Sequence, residues 1–235
     1  MTEIKALFGL YYLCGVLNMN HVTTKELFDK NSGIGYFRAK ISEARFEFLT
    51  NCLRFDNRAT REERRENDRL APIRQVFDDI VKVSSELYSP SEYCTLDEML
   101  LGFRGRCVFK MYIPSKPDKY GIKIVMLCDS KTAYMINAFV YLGKDSTPRN
   151  VPCAEFFTMK LTEPIHGSNR NLACDNLFTS LLVANQLFQK QVTIVGTLRK
   201  NKREIPPLFL ELRNRDKNTA QFAFSKELTL LSYCQ

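Results

Sequence analysis

Residues 95–106 have the sequence Thr-Leu-Asp-Glu-Met-Leu-Leu-Gly-Phe-Arg-Gly-Arg, in which Asp97 lies within an apolar strand that runs into a basic turn. A second stretch, Ala173-Cys174-Asp175-Asn176, also carries an aspartate from an apolar strand into a turn. Most aspartates at such places are turn residues. A pair of such aspartates in a basic chain can also be the ligands of a divalent cation held against nucleic-acid phosphate, because hard cations such as Mg²⁺ prefer oxygen ligands. DNA chemistry is therefore the leading functional hypothesis.

Composition and charge narrow the class of protein. The 235 residues are 45% hydrophobic, which is enough for a packed core. Lys and Arg outnumber Asp and Glu by 34 − 26 = 8, and this excess favours polyanionic partners such as nucleic acid. The apolar run at residues 6–17 is shorter than the roughly 20 residues that cross a bilayer. We expect it to be a buried helix, and we expect no membrane partner.

The cysteine and histidine pattern argues against a structural zinc site. The eight cysteines include no C-x₂₋₄-C pair, and the only histidines are His21 and His166. Most of the cysteines lie in apolar runs, where free Cys acts as a small hydrophobic side chain, so we expect a reduced intracellular protein. The sequence also lacks a Gly-rich nucleotide loop, a Ser-His-Asp set and a Cys-His pair, so we expect no small-molecule substrate.

The sequence pattern changes near residue 92, from helical periods to alternating strands and helices. Residues 1–92 have helical patterns, and the charged run at 58–69 is either a solvated linker or a DNA-contacting element. From residue 93 the patterns predict strand, strand, strand, helix, strand, helix, strand. The predicted strands lie at 93–97, 122–128, 134–141, 171–175 and 192–195, the helices at 151–161 and 179–190, and a hairpin arm at 107–113.

This order is that of the ribonuclease-H-like fold. The predicted class is α+β / α/β, with a helical N-terminal region followed by a partial ribonuclease-H-like mixed sheet with flanking helices. In that fold the first and fourth strands are neighbours and carry metal-binding aspartates, so Asp97 and Asp175 are expected to meet. Glu98 is expected to point to the opposite face of the strand from Asp97, and Asp129 is interpreted as a turn residue.

Several long motifs closely resemble those of piggyBac-type transposases, and the resemblance covers nearly the whole chain. They are TLDEMLLGFRGR (95–106), MYIPSKP (111–117), KYGIK (119–123), CDNLFTS (174–180) and NKREIP (201–206). Upstream, LFD (27–29), RFEFL (45–49) and REND (65–68) extend it. The chain resembles the N-terminal and central part of such a protein.

The resemblance implies a cut-and-paste DNA transposase that cleaves and joins strands by metal-dependent hydroxyl attack at phosphorus. Asp97 and Asp175 fall on the first two catalytic, metal-binding aspartates of a DDD set, which in the complete enzyme holds two Mg²⁺ or Mn²⁺ ions. It also implies a dimerisation and DNA-binding region at 1–92, a catalytic core at 93–200 and the start of an insertion domain at 201–235. The family's third aspartate lies farther along, so we expect weak or absent metal binding and no strand transfer from these residues alone.

The basic residues near the two aspartates are candidates for binding DNA phosphate, although exposed charges for solubility are the alternative. They are Arg104, Arg106, Lys110, Lys116, Lys119, Lys123, Arg199, Lys200, Lys202 and Arg203. The expected partners are double-stranded DNA, at transposon ends and target, and a second copy in a full-length homodimer, in the nucleus.

Two other functional classes stay open from the sequence. One is a domesticated, catalytically inactive DNA-binding protein or a truncated transposon remnant that keeps the fold. The other is a protein-interaction module. An intact third aspartate in the parent gene would favour the enzyme, whereas salt-dependent DNA binding would argue against the interaction module.

Overall fold

A computed structural model describes residues 2–19, 21–143, 150–211 and 215–234 of the chain. Its helices are α1 Thr2–Val16, α2 Thr24–Phe28, α3 Gly35–Lys40, α4 Glu43–Cys52, α5 Arg61–Asn67, α6 Arg74–Leu87, α7 Cys153–Leu161 and α8 Leu181–Gln189. Its strands are β1 Tyr93–Gly102, β2 Met111–Tyr112, β3 Tyr120–Asp129, β4 Met135–Val140, β5 Asn171–Cys174, β6 Thr193–Gly196, β7 Thr219–Phe224 and β8 Thr229–Cys234. The class is mixed α and β with a helical N-terminal region, which confirms the predicted fold class.

The chain divides into two compact units, residues 1–63 and 64–235. In the first unit, short helices enclose a core that includes Leu7, Phe37 and Phe46. Helix α4 begins where the Ser42 hydroxyl accepts a hydrogen bond from the backbone N–H of Arg45, at 3.3 Å. The run at residues 6–17 forms most of α1 and contributes Leu7 and Leu10 to this core, but Tyr12 and Val16 are exposed, so the helix expected to be buried is buried along one side only. None of the described helices is long and apolar enough to cross a membrane.

The main sheet of the second unit has the strand order β2-β3-β1-β5-β6, with β4 also paired to β3. Strand β1 runs antiparallel to β3 and parallel to β5. The predicted first and fourth strands, now β1 and β5, are therefore neighbours, as expected from the element order. Strand β1 is longer than the predicted 93–97, because its pairing with β3 continues to Gly102 opposite Gly121. A Cβ atom on Gly121 would lie 2.3 Å from the Leu101 carbonyl oxygen, so glycine permits this close pairing.

The two faces of the sheet are covered differently. On one face, Leu96 and Leu127 are fully buried in a cluster that includes residues of α7 and α8. Cys94 belongs to the same cluster, and burial raises the pKa of its thiol to about 11, which fits the prediction that such cysteines act as hydrophobic side chains. On the other face, Ile124 and Ala138 pack with residues of α6. Helix α6 packs on β4, which β3 separates from β1, and the side chain of Asp97 on β1 is exposed.

Three domain ranges were predicted, at 1–92, 93–200 and 201–235. The compact units divide at residue 63 instead, since α6 packs on β4 and so belongs with the sheet. Strands β7 and β8 form a separate two-stranded sheet beyond residue 201. The three predicted ranges are functional regions rather than compact units, and they stay predictions.

Asp129 ends β3 in a tight, buried turn and is 1% exposed. Its carboxylate accepts hydrogen bonds from the Ser91 hydroxyl at 2.6 Å, from the Tyr88 hydroxyl, and from the backbone N–H of Lys131 at 2.9 Å. These bonds, led by the one from Ser91, hold the pKa of Asp129 well below its usual range. They tie the segment after α6 to the β3–β4 turn, which agrees with the interpretation of Asp129 as a turn residue.

We expect Asp129→Ala to lower the thermal midpoint by several degrees at pH 7, since buried donors would be left without an acceptor. The depressed pKa means that the stabilisation is present above the unfolded value of about 4 and is lost as pH falls below it. The difference between the native protein and the variant should therefore narrow between pH 5 and pH 3, as measured by thermal unfolding. Asp79→Ala, at an exposed position of α6, is the control. A difference that does not change with pH would contradict this account.

Candidate metal and nucleic-acid site

Asp97 and Asp175 emerge side by side from two adjacent parallel strands. The last pair in the register of β1 and β5 joins Leu96 to Cys174; Asp97 is the next residue of β1, and Asp175 directly follows the end of β5. Neighbouring strands lie about 4.8 Å apart, so the two backbones start within reach of a shared cation. Both aspartates are exposed. The strand pairing thus provides the juxtaposition on which the sequence argument depended, while the catalytic and metal roles of the pair stay predictions.

Each carboxylate is oriented by one local hydrogen bond. Oδ1 of Asp97 accepts from the backbone N–H of Glu98 at 2.7 Å, and Oδ1 of Asp175 accepts from that of Leu177 at 2.8 Å. Among the hydrogen bonds of the described residues, both carboxylates use only Oδ1. The Oδ2 atom of each is therefore left for a cation, and the local bonds limit side-chain motion before one binds.

The turn that follows Asp175 is held by residues that the sequence analysis did not single out. The Thr179 hydroxyl donates to the Asp175 carbonyl oxygen at 2.7 Å. Gly196, at the end of β6, packs directly on this turn: a Cβ atom there would lie 2.2 Å from Thr179 Oγ1 and 2.7 Å from the Cys174 carbonyl oxygen. The available signal was a glycine that ends an apolar strand, which indicates close backbone approach.

Two thiols beside the aspartates stay protonated. Burial is the main cause that raises the pKa of Cys128, and the charge of Asp97 adds to it. Burial likewise raises the pKa of Cys174, next to Asp175, with a smaller contribution from that carboxylate. The donors that Asp97 and Asp175 offer are carboxylate oxygens, which hard cations such as Mg²⁺ and Mn²⁺ prefer.

A third carboxylate is not brought to this pair by the described part of the chain. Glu98 pairs with Val125 in the register, on the face opposite to Asp97 as predicted, and its Oε2 atom is buried without a hydrogen bond. Asp129 lies opposite Cys94, three positions along β1 from Asp97. In the described ranges no group of three or more His, Cys, Asp and Glu side chains could hold a metal ion. The pair fits one hard cation, whereas two ions need about three carboxylates.

The predicted DNA-binding residues between positions 104 and 123 are of two kinds. Some side chains are exposed, and the others contact other groups of the protein. Arg104, Arg106 and Lys119 are exposed in the loops after β1 and before β3. Lys116 instead donates to the Glu98 carbonyl oxygen at 3.1 Å, and its Nζ lies 3.9 Å from Glu98 Oε1. It therefore ties the β2–β3 loop to the strand that carries Asp97.

Lys110 and Lys123 also contact other groups of the protein. Lys110 donates to the Gly105 carbonyl oxygen at 3.1 Å and so closes the loop that carries Arg104 and Arg106. Lys123 pairs with Leu100, on the face of the sheet opposite to Asp97, and its ammonium lies 5.9 Å from the Tyr141 ring centroid. The DNA-binding roles of these residues stay predictions.

Among the predicted DNA-binding residues after β6, Arg199 is hydrogen-bonded to the turn that follows β5 and contains Asp175. Its Nε donates to Oδ1 of Asn176, the residue after Asp175, at 3.1 Å. Lys200 and Arg203 are exposed, and Lys202 is half-buried. The segment after β6 thus brings positive charge next to Asp175, where a phosphate bound to a metal would lie.

Comparison with known proteins agrees with the motifs. A family model described as Transposase IS4 matches residues 1–235. A cryo-EM structure of a piggyBac transposase synaptic complex with hairpin DNA is similar to this chain, with a TM-score of 0.92 and 46% sequence identity. The match covers 99% of this chain and 49% of that one, so these 235 residues span about half the length of the similar protein.

In the full-length gene product, we expect Asp97→Asn and Asp175→Asn each to weaken Mn²⁺ binding by at least about tenfold, because asparagine keeps the Oδ1 acceptor but removes the charge. Titration calorimetry or the electron paramagnetic resonance signal of free Mn²⁺ measures this. The thermal midpoint in metal-free buffer should stay the same or rise, since two adjacent carboxylates repel each other without a cation. A large loss of thermal stability in metal-free buffer would contradict the metal-ligand role, because it would show that the two side chains stabilise the fold.

Gly196→Ala should destabilise the protein by roughly 1–3 kcal/mol, because the added methyl collides with Thr179 and the Cys174 backbone. Mn²⁺ affinity should fall as well, since this packing shapes the turn that presents Asp175. Chemical denaturation and the same Mn²⁺ titration test both effects. Gly9→Ala is the matched control, because nothing lies within 4 Å of its added Cβ. Unchanged stability and affinity in Gly196→Ala would refute the packing argument.

Proposed function

The chain belongs to the piggyBac-type transposase family, and from this premise we propose that the whole protein is a cut-and-paste transposase that binds DNA and cuts and joins its strands. The observation that carries the proposal is the parallel pairing of β1 with β5, which aligns Asp97 and Asp175. A carboxylate pair of this kind, in a basic chain, suits phosphoryl transfer between DNA strands. An interaction module without DNA is not favoured by these matches.

Asp97 and Asp175 would hold the divalent cation, Mg²⁺ or Mn²⁺, through their Oδ2 atoms. When bound, such an ion supplies charge stabilisation at the scissile phosphate and lowers the pKa of an attacking hydroxyl or water. The protein's own part is positioning. The hydrogen bonds from the backbone N–H groups of Glu98 and Leu177 fix the carboxylates, and Thr179 fixes the turn. A further carboxylate from outside the described residues would complete a two-ion site.

The basic residues would place the DNA backbone over this pair. Arg104 and Arg106 lie in the exposed loop at the far end of β1, and Arg199 lies beside the Asp175 turn. Guanidinium groups bind phosphate through two parallel N–H bonds, which fixes the register of the strand without reading its sequence. The similar structure is a complex with hairpin DNA, which supports double-stranded DNA at transposon ends as the ligand.

The assembly and the location of the protein belong to the same proposal. The similar structure is described as a synaptic complex, which supports a homodimer that holds DNA in the full-length protein. We also propose a nuclear location, because a protein that cuts chromosomal DNA acts where that DNA lies. The net charge of +8 is consistent with both, because it favours association with polyanions.

The function is tested with the full-length gene product and labelled transposon-end DNA. Asp97→Asn or Asp175→Asn should reduce Mg²⁺-dependent cleavage by more than about 100-fold, since each removes a direct metal ligand. DNA affinity measured in the presence of Ca²⁺ should change less than about threefold, because the basic residues that bind phosphate are unchanged. Cleavage that survives both substitutions would rule out this pair as the catalytic site.

The binding of DNA phosphate is tested by titrating salt. Arg104→Ala with Arg106→Ala should weaken DNA binding and reduce the slope of log K against log salt by about 1 for each phosphate that is no longer neutralised. Lys82→Ala, an exposed lysine of α6 outside the predicted set, is the matched control. An unchanged slope in the double variant would assign DNA binding to another surface.

A further inference from the structure

Two tyrosines form an exposed aromatic pair at one end of the main sheet. Tyr112 on β2 and Tyr120 on β3 are opposite each other in the register, and their ring centroids lie 4.7 Å apart. We call these two residues the tyrosine pair. Cross-strand aromatic contacts stabilise a sheet, yet Tyr112 is 54% exposed and Tyr120 is 59% exposed. Much of the surface of both rings is therefore free to contact a ligand.

The tyrosine pair lies on the same face of the sheet as Asp97. Met126 is opposite Asp97 in the register of β1 and β3, and Tyr120 is six residues before Met126 on β3. Because side chains alternate between the two faces, this even separation puts Tyr120 on the face of Met126 and Asp97. At about 3.3 Å per residue, the tyrosine pair is roughly 20 Å from Asp97 along the strands. About six nucleotides of a stacked DNA strand span this distance.

Exposed cations flank the tyrosine pair. Lys119 directly precedes the second tyrosine, and Arg104 and Arg106 lie in the loop after β1. Between positions 103 and 120 the sequence has five Lys and Arg residues and one acidic residue, Asp118. This part of the surface is therefore positive, which favours phosphate.

The basic loop is held against the tyrosine pair by hydrogen bonds. The backbone N–H of Phe103 donates to the Tyr120 carbonyl oxygen at 3.2 Å. Lys110, two residues before Tyr112, donates from Nζ to the Gly105 carbonyl oxygen at 3.1 Å. Aromatic rings and guanidinium groups are thus neighbours because of the fold, although the loop and the second tyrosine are about 15 positions apart in the sequence.

Exposed rings beside cations fit unpaired nucleotides. Bases stack on aromatic side chains while Lys and Arg follow the phosphates, and every base can make this contact because every base has a π face. A base inside a duplex is stacked on its neighbours, so it reaches a ring on a protein surface only after extrusion, which costs free energy. A single-stranded end makes the same contact without that cost.

We propose that the tyrosine pair is a stacking site for unpaired DNA nucleotides. The proposal rests on the proposed function and deepens it, because cutting one strand of a duplex at Asp97 and Asp175 produces a strand end on this face of the sheet. The tyrosine pair holds bases of that end, and the neighbouring cations bind its phosphates.

The test uses the full-length gene product and labelled transposon-end DNA, with Ca²⁺ present so that binding is measured without cleavage. One DNA is a blunt duplex, and two others carry a single-stranded extension of about six nucleotides on the 3′ or the 5′ end. The native protein should bind at least one extended DNA about tenfold more tightly than the blunt duplex, in fluorescence anisotropy. Equal affinity for all three DNAs would overturn the proposal.

Tyr112→Ala with Tyr120→Ala should weaken binding of that extended DNA by at least about tenfold and binding of the blunt duplex by less than about threefold. Tyr112→Phe with Tyr120→Phe should keep the native affinities, because a phenyl ring also stacks on bases. Tyr93→Ala is the matched control, since Tyr93 is 58% exposed at the other end of β1. Thermal unfolding checks that all variants stay folded. Equal losses on the extended and blunt DNAs, or an equal effect of the control, would overturn the proposal.

Photo-cross-linking separates contact with bases from a purely structural role of the tyrosine pair. 5-Iododeoxyuridine in the extension should cross-link to Tyr112 or Tyr120 on irradiation, as identified by peptide mass spectrometry. The cross-link should disappear in the double alanine variant. Cross-links that form only at other residues would overturn the proposal.

Failure of this proposal can be distinguished from failure of the proposed function. Binding of the extension is measured without cleavage, so a missing stacking site leaves Mg²⁺-dependent cutting and its loss in Asp97→Asn unchanged. Cleavage that survives both Asp97→Asn and Asp175→Asn would instead remove the catalytic role of the aspartates, while the effect of the tyrosine substitutions on extended DNA would remain.

Discussion

The parallel pairing of β1 with β5 is the constraint on which the candidate site depends. Parallel strands cannot be joined by a hairpin, so the chain leaves β1, forms β3 and β4, and returns through α7 before β5. Because the register ends at Leu96 opposite Cys174, two aspartates that are 78 positions apart in the sequence follow adjacent positions of the paired strands, Asp97 within β1 and Asp175 just after β5. A shift of one residue in this register would turn one of the carboxylates to the opposite face, where the apolar core lies.

The two faces of the sheet are covered by helices to different extents, and this difference determines which part of the sheet stays accessible. Helices α7 and α8 bury one face completely around Leu96 and Leu127, which fixes the strands. Helix α6 covers only the β3–β4 part of the other face, and it is tied to the sheet by the buried Asp129 network. The face of β1 that carries Asp97 is therefore exposed, while the packed core beneath it holds the strands in place.

Much of this architecture could be predicted from the sequence because its signals are local. The apolar run at 122–128 and the helical period at 73–87 identified their elements, and the order of elements selected the sheet topology. The length of β1 was underestimated, because Met99 to Gly102 is held by pairing with β3 rather than by its own pattern. Lys116 was predicted to bind DNA from its charge alone. Lys116 lies in the β2–β3 loop, and its interactions with Glu98 on β1 appear only when the chain is folded.

The sequence by itself determined the family, the aspartates and the basic excess, since these are properties of residue type and spacing along the chain. It also placed Glu98 on the opposite face from Asp97, because strand geometry alternates side chains. Only the tertiary structure decided that Gly196 must lack a side chain beside Thr179 and that Lys123 lies away from Asp97. Each of these depends on packing between segments distant along the chain, and no local pattern encodes where such segments meet.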